Sequence, residues 1–335
     1  MSVLLNLKKA KVLVTGANGF IGSHLVDELL DYGCTVHGLV RESSDLKWLD
    51  TSSVHLHQLD LARQGFMIPA LEEFEYIFHC AGLTKAKSRS DYFQVNATAC
   101  SNLYEQCKKR GGRIKNILHL SSLAATGPSS REKLVDEVTP CKPVTFYGQS
   151  KLAGEEVAAH YSQSLPVTVI RPPVVYGPRE ENFFTFMKLI KQGWELQIGS
   201  SSKELSLIYV SDLVRAMLVA ADSAGQKSRS YFVTDGKVYK WEQVARECAR
   251  ILNVEVKTLK VPEPLLVPVA LFFEACAHFG SKPALFDRQR MIDIRQSSWS
   301  ASSENFFKTF DFVPQFDLSQ GLTESIRWYQ KERWL

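Results

Sequence analysis

Residues 11–22 read Lys11-Val-Leu-Val-Thr-Gly16-Ala-Asn-Gly19-Phe-Ile-Gly22, and this stretch decides the fold. The apolar run at its start predicts a buried strand, and the three glycines that follow predict a tight turn into a helix. Gly16 permits the turn, Gly19 lets the backbone approach a diphosphate, and Gly22 allows helix and strand to pack closely. Unpaired N–H groups and the helix dipole would attract the diphosphate of a dinucleotide. The residues of this loop predicted to bind it are Gly16, Asn18, Gly19, Phe20, Ile21 and Gly22.

The chain beyond this loop alternates short apolar runs with amphipathic stretches. Strands are predicted at 35–40, 54–59, 75–80, 113–120 and 167–171, and helices at 20–32, 91–110 and 147–162. This alternation is typical of α/β proteins with a doubly wound parallel sheet of the Rossmann type. The pattern becomes irregular after Pro172-Pro173, where we expect a smaller, mostly helical C-terminal substrate domain. Residues 1–175 with about 206–236 are assigned to the dinucleotide-binding domain, and about 176–205 with 237–335 to the substrate domain.

Charge and cysteine content exclude several classes of protein. The net charge of +4 comes from 40 basic and 36 acidic residues that are spread along the chain, which argues against a nucleic-acid partner. The 7 cysteines form no Cys-x-x-Cys pair and the 8 histidines show no metal-ligand spacing, so neither a disulfide framework nor a metal site is expected. Residues 1–11 lack the apolar core of a signal peptide. Reduced thiols and the lack of a signal peptide predict a cytoplasmic protein.

One segment, Leu265–Phe279, is apolar over most of its length. It is too short to span a bilayer, so stable membrane insertion is not expected. Core packing is the favoured interpretation. The alternatives are that it lines a pocket for an apolar substrate or touches a membrane surface.

The residue after the second predicted strand bears on the choice of cofactor. Arg41 stands where an acidic residue is typical of NAD(H) enzymes, and a cation there suits the 2′-phosphate of NADP(H). NADP(H) is therefore favoured, while the neighbouring Glu42 keeps NAD(H) as the alternative. Further dinucleotide contacts are predicted after the third and fourth strands, at Asp60, Leu61, Cys80, Ala81 and Gly82.

A candidate catalytic group follows the fifth predicted strand. Tyr147 and Lys151 are four residues apart, which places both on one face of a helix. A free tyrosine has a pKa of about 10, so it needs a neighbouring cation to act as a base near neutral pH. Ser122, at the end of the preceding strand, would hold the substrate oxygen, and Ser121 is the alternative.

The same Tyr-x-x-x-Lys spacing occurs at Tyr104 and Lys108. These residues lie in the middle of a predicted helix, and no serine-bearing strand precedes them. We therefore do not assign them to the catalytic group.

These motifs resemble the extended short-chain dehydrogenase/reductase family over nearly the whole chain. Other matching stretches are Asn96, Arg171-Pro172-Pro173-Val174-Val175-Tyr176-Gly177-Pro178 and Tyr209-Val210-Ser211-Asp212. The resemblance implies that Tyr147 is the acid/base and that Lys151 binds the nicotinamide ribose. It also implies that Ser122 binds the substrate oxygen, with Asn96 ordering the helix or a water relay. Pro172 and Val174 would contact the carboxamide, and helices 91–110 and 147–162 would pair into a homodimer.

Three departures from the family pattern bear on the substrate. Sugar-nucleotide members usually carry Asn where this chain has Val174, and often Arg where it has Leu205-Ser206-Leu207. Dehydratases carry an acidic pair where it has Leu123 and Ala124. The pattern looks closer to the dihydroflavonol reductase and 3β-hydroxysteroid dehydrogenase branch.

The predicted function is therefore NAD(P)(H)-dependent interconversion of a secondary alcohol and a ketone on a small-molecule substrate, apolar in one interpretation. A nucleotide-sugar epimerase or dehydratase is the first alternative, and a non-catalytic dinucleotide-binding sensor is the second. The side chains expected to face the substrate are Thr84, Phe183 and Tyr209.

Overall fold

The computed structural model describes residues 6–199, 202–223, 229–278, 284 and 286–335, without the side chains of 275, 276 and 278. Phe279, the last residue of the apolar segment noted above, lies outside the described residues. The strands are β1 (Lys11–Thr15), β2 (Thr35–Val40), β3 (His55–Gln58), β4 (Tyr76–His79), β5 (Asn116–Leu120), β6 (Val167–Arg171), β7 (Val174–Tyr176), β8 (Trp194–Ile198), β9 (Glu204–Tyr209), β10 (Arg229–Phe232), β11 (Val238–Lys240), β12 (Lys257–Val261) and β13 (Ser298–Trp299).

The helices lie between these strands and after them. They are α1 (Phe20–Asp31), α2 (Arg89–Phe93), α3 (Ala99–Arg110), α4 (Phe146–Tyr161), α5 (Glu181–Lys191), α6 (Val210–Asp222), α7 (Trp241–Leu252), α8 (Leu266–His278), α9 (Arg288–Arg295), α10 (Glu304–Phe310) and α11 (Leu318–Lys331). Among the described residues, no helix combines the length and the apolar character needed to cross a membrane.

Seven strands form one parallel sheet in the order β10-β6-β5-β4-β1-β2-β3. The chain winds outward from β1 through β2 to β3, and then returns to the other side of β1 to add β4, β5 and β6. In such a sheet a ligand crevice forms at the carboxyl ends of the strands, where the winding reverses. The predicted Rossmann-type sheet is confirmed, and the reversal lies between β1 and β4.

Helices cover both faces of this sheet, as buried parallel strands require. α1 and α6 share one apolar core with the sheet, and α3 and α4 share a second. The predicted helix at 91–110 is interrupted by a π-helical turn at Gln94–Thr98, which separates α2 from α3. Such turns are rare and often occur at functional sites.

The remaining elements form a second lobe with its own apolar core among α5, α7 and α11. This lobe also contains a small sheet of β11, β9, β13 and β7, and a separate parallel pair of β8 and β12. Helices still make up most of this lobe, as expected, although the strand pair β8 and β12 was not predicted. Residues 194–198 pair with 257–261, and such distant pairing of short strands leaves no local periodicity to read. After β9, the chain returns to the main sheet through α6 and β10.

Candidate active site

The loop between β1 and α1 has the close backbone contacts that a dinucleotide diphosphate site needs. Gly16 has a φ of +65°, and a Cβ atom there would lie 2.8 Å from the backbone of Ala81. A Cβ atom at Gly22 would lie 2.1 Å from the carbonyl oxygen of Gly16. α1 begins at Phe20 without a side-chain cap on its first N–H groups. A diphosphate can therefore approach the backbone here, and the residues present fit the cofactor.

Two residues of this loop connect it to its surroundings. The Asn18 side-chain amide donates a hydrogen bond to the Asp45 carbonyl at 3.1 Å, which joins the glycine loop to the loop after β2. The half-buried Ile21 packs against the core beneath α1. These contacts hold the two loops that would border the adenosine half of the cofactor.

The loop after β2 presents an exposed cation at the predicted position. Arg41 is exposed, and its backbone N–H donates to the Ser44 hydroxyl at 3.1 Å. Within the described residues, no ion pair involves Arg41. Further along the loop, the Lys47 ammonium lies 4.8 Å from the ring centre of Trp48 and 5.7 Å from that of Trp334. The aromatic contacts hold the far end of the loop, while Arg41 remains available to a phosphate.

The predicted contacts after β3 and β4 lie at the carboxyl ends of those strands. One Asp60 oxygen accepts the Ala62 N–H at 3.0 Å, so this carboxylate shapes its own turn. Leu61 is buried. Cys80 and Ala81 are half-buried and Gly82 is exposed. Burial raises the pKa of the Cys80 thiol to about 12, so Cys80 is a neutral wall of the crevice.

Tyr147 and Ser122 meet at the start of α4. Thr145 caps this helix by accepting the Gly148 N–H at 3.1 Å, which fixes the first turn and therefore the tyrosine. The Ser122 hydroxyl lies beside the Tyr147 hydroxyl, close enough to act on its pKa. Burial raises the pKa of Tyr147 to about 12, and the Ser122 hydroxyl opposes that rise. The neutral hydroxyl is therefore the resting form of Tyr147.

Lys151 lies one turn further along α4 and is buried. Its ammonium donates a hydrogen bond of 2.6 Å to the Leu120 carbonyl at the end of β5. Burial lowers the pKa of Lys151, because the charged form loses its water. Gly82 lies beside this ammonium, since a Cβ atom there would be 3.7 Å from the Lys151 nitrogen. The cation thus faces the crevice between β4 and β5.

The structure distinguishes Ser122 from its alternative. The Ser121 hydroxyl is buried and donates to the carboxylate of Glu155. The same carboxylate accepts hydrogen bonds at 3.0 and 3.1 Å from the Arg171 guanidinium. Ser121 therefore belongs to a buried ion-pair network, and Ser122 is the serine that reaches Tyr147.

Asn96 lies in the π-helical turn and is fully engaged by its neighbours. Its carbonyl oxygen accepts the Leu83 N–H at 2.8 Å, and its amide donates to the Leu83 carbonyl at 3.0 Å. The amide also donates to the Ser150 hydroxyl at 2.9 Å, and Ser150 donates to the Tyr147 carbonyl at 2.7 Å. Asn96 thus ties the loop after β4 to the first turn of α4. Its placement suits a positioning residue.

Tyr104 does not line the crevice, because it is fully buried in the apolar core between the sheet and α3 and α4. Its hydroxyl is 3.1 Å from Nδ1 of the buried His119. Lys108 is exposed, and its ammonium lies over the Tyr161 ring. The second Tyr-x-x-x-Lys match is therefore structural.

The three predicted substrate residues have different surroundings. Thr84 is exposed on the loop after β4, next to the Leu83 backbone that Asn96 holds. Phe183 and Tyr209 are instead buried in the core of the second lobe, with ring centres 5.3 and 5.6 Å from that of Tyr176. Their aromatic side chains fill the core of the lobe, so the expected substrate contact does not match their placement.

Pro172 and Val174 follow β6. Pro172 is buried, and its carbonyl accepts the Leu123 N–H at 2.8 Å, which joins this stretch to the turn that follows Ser122. Val174, in contrast, is 41% exposed on β7. The two residues predicted to contact the carboxamide therefore lie on the same stretch, but only Val174 is exposed to solvent.

Helix α9 contributes residues that the sequence did not indicate. The Gln289 side-chain oxygen accepts the Phe146 N–H at 2.7 Å, so α9 touches the first turn of α4. Asp293 raises the pKa of Tyr147 through its negative charge, and burial raises the pKa of Asp293 itself to about 6. These residues follow the motif by about 140 positions and have no recognisable spacing.

A cluster of His79, Cys100 and His119 lies beneath the strand ends, although sequence spacing gave no sign of it. All three are buried, and their potential ligand atoms lie within 4.8 Å of one another. Burial lowers the pKa of His79 to about 3 and holds the pKa of His119 well below its usual value, and the Lys151 ammonium lowers both. The same ammonium would repel a metal ion. We therefore interpret the cluster as a neutral layer under the crevice, and the expected lack of a metal site stays a prediction.

Comparison of the sequence with known proteins shows which family the chain resembles. The model of the NAD dependent epimerase/dehydratase family matches residues 12–233. The ceramide reductase of Caulobacter vibrioides is 26% identical over 328 residues, which cover 97% of this chain and 96% of the relative. The N-acetyl-alpha-D-glucosaminyl-diphospho-ditrans,octacis-undecaprenol 4-epimerase of Escherichia coli O157:H7 is 25% identical over 336 residues, which cover 95% of this chain and 94% of the relative.

Solved structures show the same architecture. MoeE5 in complex with UDP-glucose and NAD matches with a TM-score of 0.77 and 23% identity, over 96% of this chain and 99% of that chain. At this level of identity the match supports the fold.

Proposed function

The chain belongs to the NAD-dependent epimerase/dehydratase family and is an enzyme, and we propose that it interconverts a secondary alcohol and a ketone on a substrate with a large apolar part. The observation that carries this proposal is the meeting of Ser122 and Tyr147 at the crevice, with the Lys151 ammonium one helical turn away. An acid/base group beside a nicotinamide site is suited to hydride exchange at an alcohol carbon.

The positions that would hold a sugar nucleotide lack the groups to do so. Val174 offers only an apolar side chain where a diphosphate-binding amide would be expected. Residues 205–207 on β9 are buried and uncharged where a phosphate-binding cation would be expected. These positions favour a substrate without a nucleotide diphosphate.

Both relatives support an apolar substrate, although they catalyse different reactions. Ceramide and undecaprenol, named in their descriptions, both carry long hydrocarbon chains. One relative is a reductase and the other an epimerase. The epimerase keeps transient hydride transfer, with no net redox change, as the second candidate function.

Tyr147, Ser122 and Lys151 would each have a different role in proton transfer to the substrate oxygen. Because burial raises the pKa of Tyr147 to about 12, its neutral hydroxyl can donate a proton to the oxygen of a bound ketone. Ser122 would donate a hydrogen bond to the same oxygen, and the Lys151 ammonium would stabilise the tyrosinate left behind. The bound dinucleotide supplies or accepts the hydride. The neutral hydroxyl is the form of Tyr147 that the reduction of a ketone requires.

NADP(H) is the proposed form of the cofactor. Arg41 is exposed at the end of β2, where the adenosine ribose of a dinucleotide would lie. A guanidinium can make paired hydrogen bonds to a phosphate, and the nearby Ser44 hydroxyl offers a further polar contact.

The proposal keeps a homodimer through α3 and α4, and the apolar residues of these helices differ in whether they can contribute to it. Leu103 is fully buried in the protomer's own core, so it cannot contribute to an interface. Leu152 and Val157 are half-buried on α4. Sedimentation at micromolar concentration tests the assembly, and a monomer would contradict it.

The decisive experiment measures the change in nicotinamide absorbance with candidate substrates. NADPH would be mixed with the protein and with long-chain N-acyl amino ketones, steroid ketones or UDP-sugars. Net oxidation of NADPH by an apolar ketone is the expected result. Interconversion of a UDP-sugar without net absorbance change would support the epimerase instead.

A further inference from the structure

Helix α8 and the residue before it expose large apolar side chains to solvent. The exposed set, here called the α8 surface, comprises Leu265 (54%), Val267 (37%), Val269 (42%), Leu271 (48%) and Phe272 (64%). Residues 264–273 contain no charged side chain. Core packing, the interpretation favoured from the sequence, does not describe these residues. Contiguous exposed apolar side chains of this kind mark an interaction site.

The way α8 is anchored indicates what covers it. Of the side chains described on α8, Leu266 and Ala270 are buried, and they lie one turn apart along one side of the helix. At about 100° per residue, the α8 surface spans an arc of roughly 200° around the helix. A rigid partner groove covers one face of a helix, whereas a fluid hydrocarbon layer can close around so wide an arc. The helix has 13 residues, about 20 Å, which is shorter than the ~30 Å hydrocarbon core of a bilayer, so it would lie along a membrane surface.

In the chain segments next to α8, the basic side chains are more exposed than the acidic ones. Between residues 257 and 295, every described lysine and arginine is exposed: Lys257, Lys260, Arg288, Arg290 and Arg295. The described acidic residues of this stretch are all half-buried. Glu274 pairs with Arg288 at 3.0 Å, and Glu263 lies 3.8 Å from Arg295. Exposed cations on the elements that precede and follow α8 in the chain are complementary to anionic lipid headgroups.

The α8 surface is also coupled to the candidate active site. α8 packs against α9, and α9 touches the first turn of α4 through the hydrogen bond from Phe146 to Gln289. α9 also carries Asp293, whose charge acts on Tyr147. A bilayer at the α8 surface would therefore lie against the outer side of a wall of the crevice.

We propose that the α8 surface binds the surface of a bilayer that contains anionic lipids. This binding goes beyond the proposed activity and does not depend on it. It would place the crevice wall at the level of the headgroups, so an apolar substrate could pass between bilayer and crevice with little exposure to water.

The test is flotation of the full chain with vesicles of phosphatidylcholine alone, and of phosphatidylcholine with about a third phosphatidylglycerol. We expect binding to the anionic vesicles that weakens with salt. The double variant Leu271→Asp with Phe272→Asp should lose at least tenfold in partitioning. Lys257→Gln with Lys260→Gln should lose the preference for anionic vesicles.

A matched control uses exposed apolar side chains elsewhere. Met67 is 66% exposed and Val313 is 70% exposed, so Met67→Asp with Val313→Asp adds the same charge without touching the α8 surface. This control should bind vesicles like the unmodified chain. If it lost binding equally, non-specific charge would explain the effect and the proposal would fail. Val267→Gln with Val269→Gln serves as a milder α8 variant should the aspartate pair prevent folding.

Two further outcomes would overturn the proposal. One is no binding of the unmodified chain to either vesicle. The other is self-association in sedimentation that the Leu271 and Phe272 variant abolishes, which would assign the α8 surface to a second copy of the chain. Reduction of a water-soluble ketone without vesicles separates this inference from the proposed function. The aspartate variant should retain that activity, and a chain that binds vesicles yet reduces no ketone would refute only the proposed function.

Discussion

Two successive turns of α4 bury charged side chains in different ways. Glu155 has a complete set of partners, since it accepts hydrogen bonds from Ser121 and from the Arg171 guanidinium. Lys151, one turn earlier, donates to a single backbone carbonyl, and burial lowers its pKa. A saturated buried ion pair maintains a structure, because removal of either partner leaves an uncompensated charge. A buried cation with one neutral partner retains the capacity to stabilise a charge that develops during a reaction.

The largest effect expected from this comparison is on turnover. Tyr147→Phe removes the ionisable oxygen next to the Lys151 turn, so turnover should fall by roughly 10² to 10⁴, the usual contribution of general acid–base catalysis. Cofactor affinity should persist, because Lys151 and the glycine loop remain. Steady-state kinetics with dinucleotide titration measure both quantities.

Tyr104→Phe is the matched control for that variant. It removes a hydroxyl at 3.1 Å from His119 in the core, so it should cost about 1 kcal/mol of unfolding free energy. Turnover of the folded protein should stay nearly unchanged. Near-native rates in Tyr147→Phe, or a greater loss in Tyr104→Phe, would contradict the assignment of the site.

Substitutions in the two turns of α4 should have different effects on stability and on activity. Glu155→Ala leaves the Arg171 guanidinium buried without its partner, so the free energy of unfolding should fall by about 3–5 kcal/mol. Lys151→Met removes a buried cation that forms no ion pair with any described residue, so stability should change less than in Glu155→Ala while turnover falls. Denaturant unfolding and kinetics on both variants test this contrast.

An exposed ion pair provides the reference for the stability measurement. Glu304 pairs with Lys308 at 2.9 Å on α10, and both side chains are mostly exposed. Glu304→Ala should therefore leave the free energy of unfolding nearly unchanged. If Lys151→Met destabilised the fold as much as Glu155→Ala, the distinction between the two turns would be lost.

A third cation, Arg41, differs from both in being exposed, so its effect should be on ligand choice. Arg41→Ala should weaken NADP binding by roughly tenfold to a hundredfold, because a charge-assisted hydrogen bond contributes about 1.5–3 kcal/mol. NAD binding and the melting temperature should be unaffected. Calorimetric titration of both dinucleotides decides the matter, and equally tight NAD binding by the unmodified chain would remove the argument.

The smallest effect concerns the charge that α9 places near Tyr147. Asp293 raises the pKa of Tyr147, so Asp293→Asn should move the rise of alcohol oxidation with pH to lower pH by roughly half a unit or less. Because burial raises the pKa of Asp293 to about 6, the effect should be confined to pH values above that. Asp311→Asn, at an exposed position with φ of 48°, should leave the pH profile unchanged. An unshifted profile in Asp293→Asn would show that α9 is only a structural wall.

The spacing of residues close together in the sequence was sufficient to predict the main sheet and the positions of the candidate site residues on it. A glycine loop between a strand and a helix, and a tyrosine four residues before a lysine, have geometric consequences that hold in any context. The Rossmann sheet followed from the alternation of strands and helices, and the position of Arg41 followed from the end of β2.

Only the tertiary structure decided the rest, because it depends on contacts between residues far apart in the chain. The hydrogen bond from Ser121 to Glu155, which also binds Arg171, shows that Ser121 is structural and leaves Ser122 as the serine beside Tyr147. Phe183 lies in the core of the second lobe. Phe146 and Gln289, whose contact brings α9 to the active site, are separated by 143 positions. The exposure of α8 follows from how few of its described side chains are buried, and an apolar sequence looks the same whether its partner is protein, lipid or water.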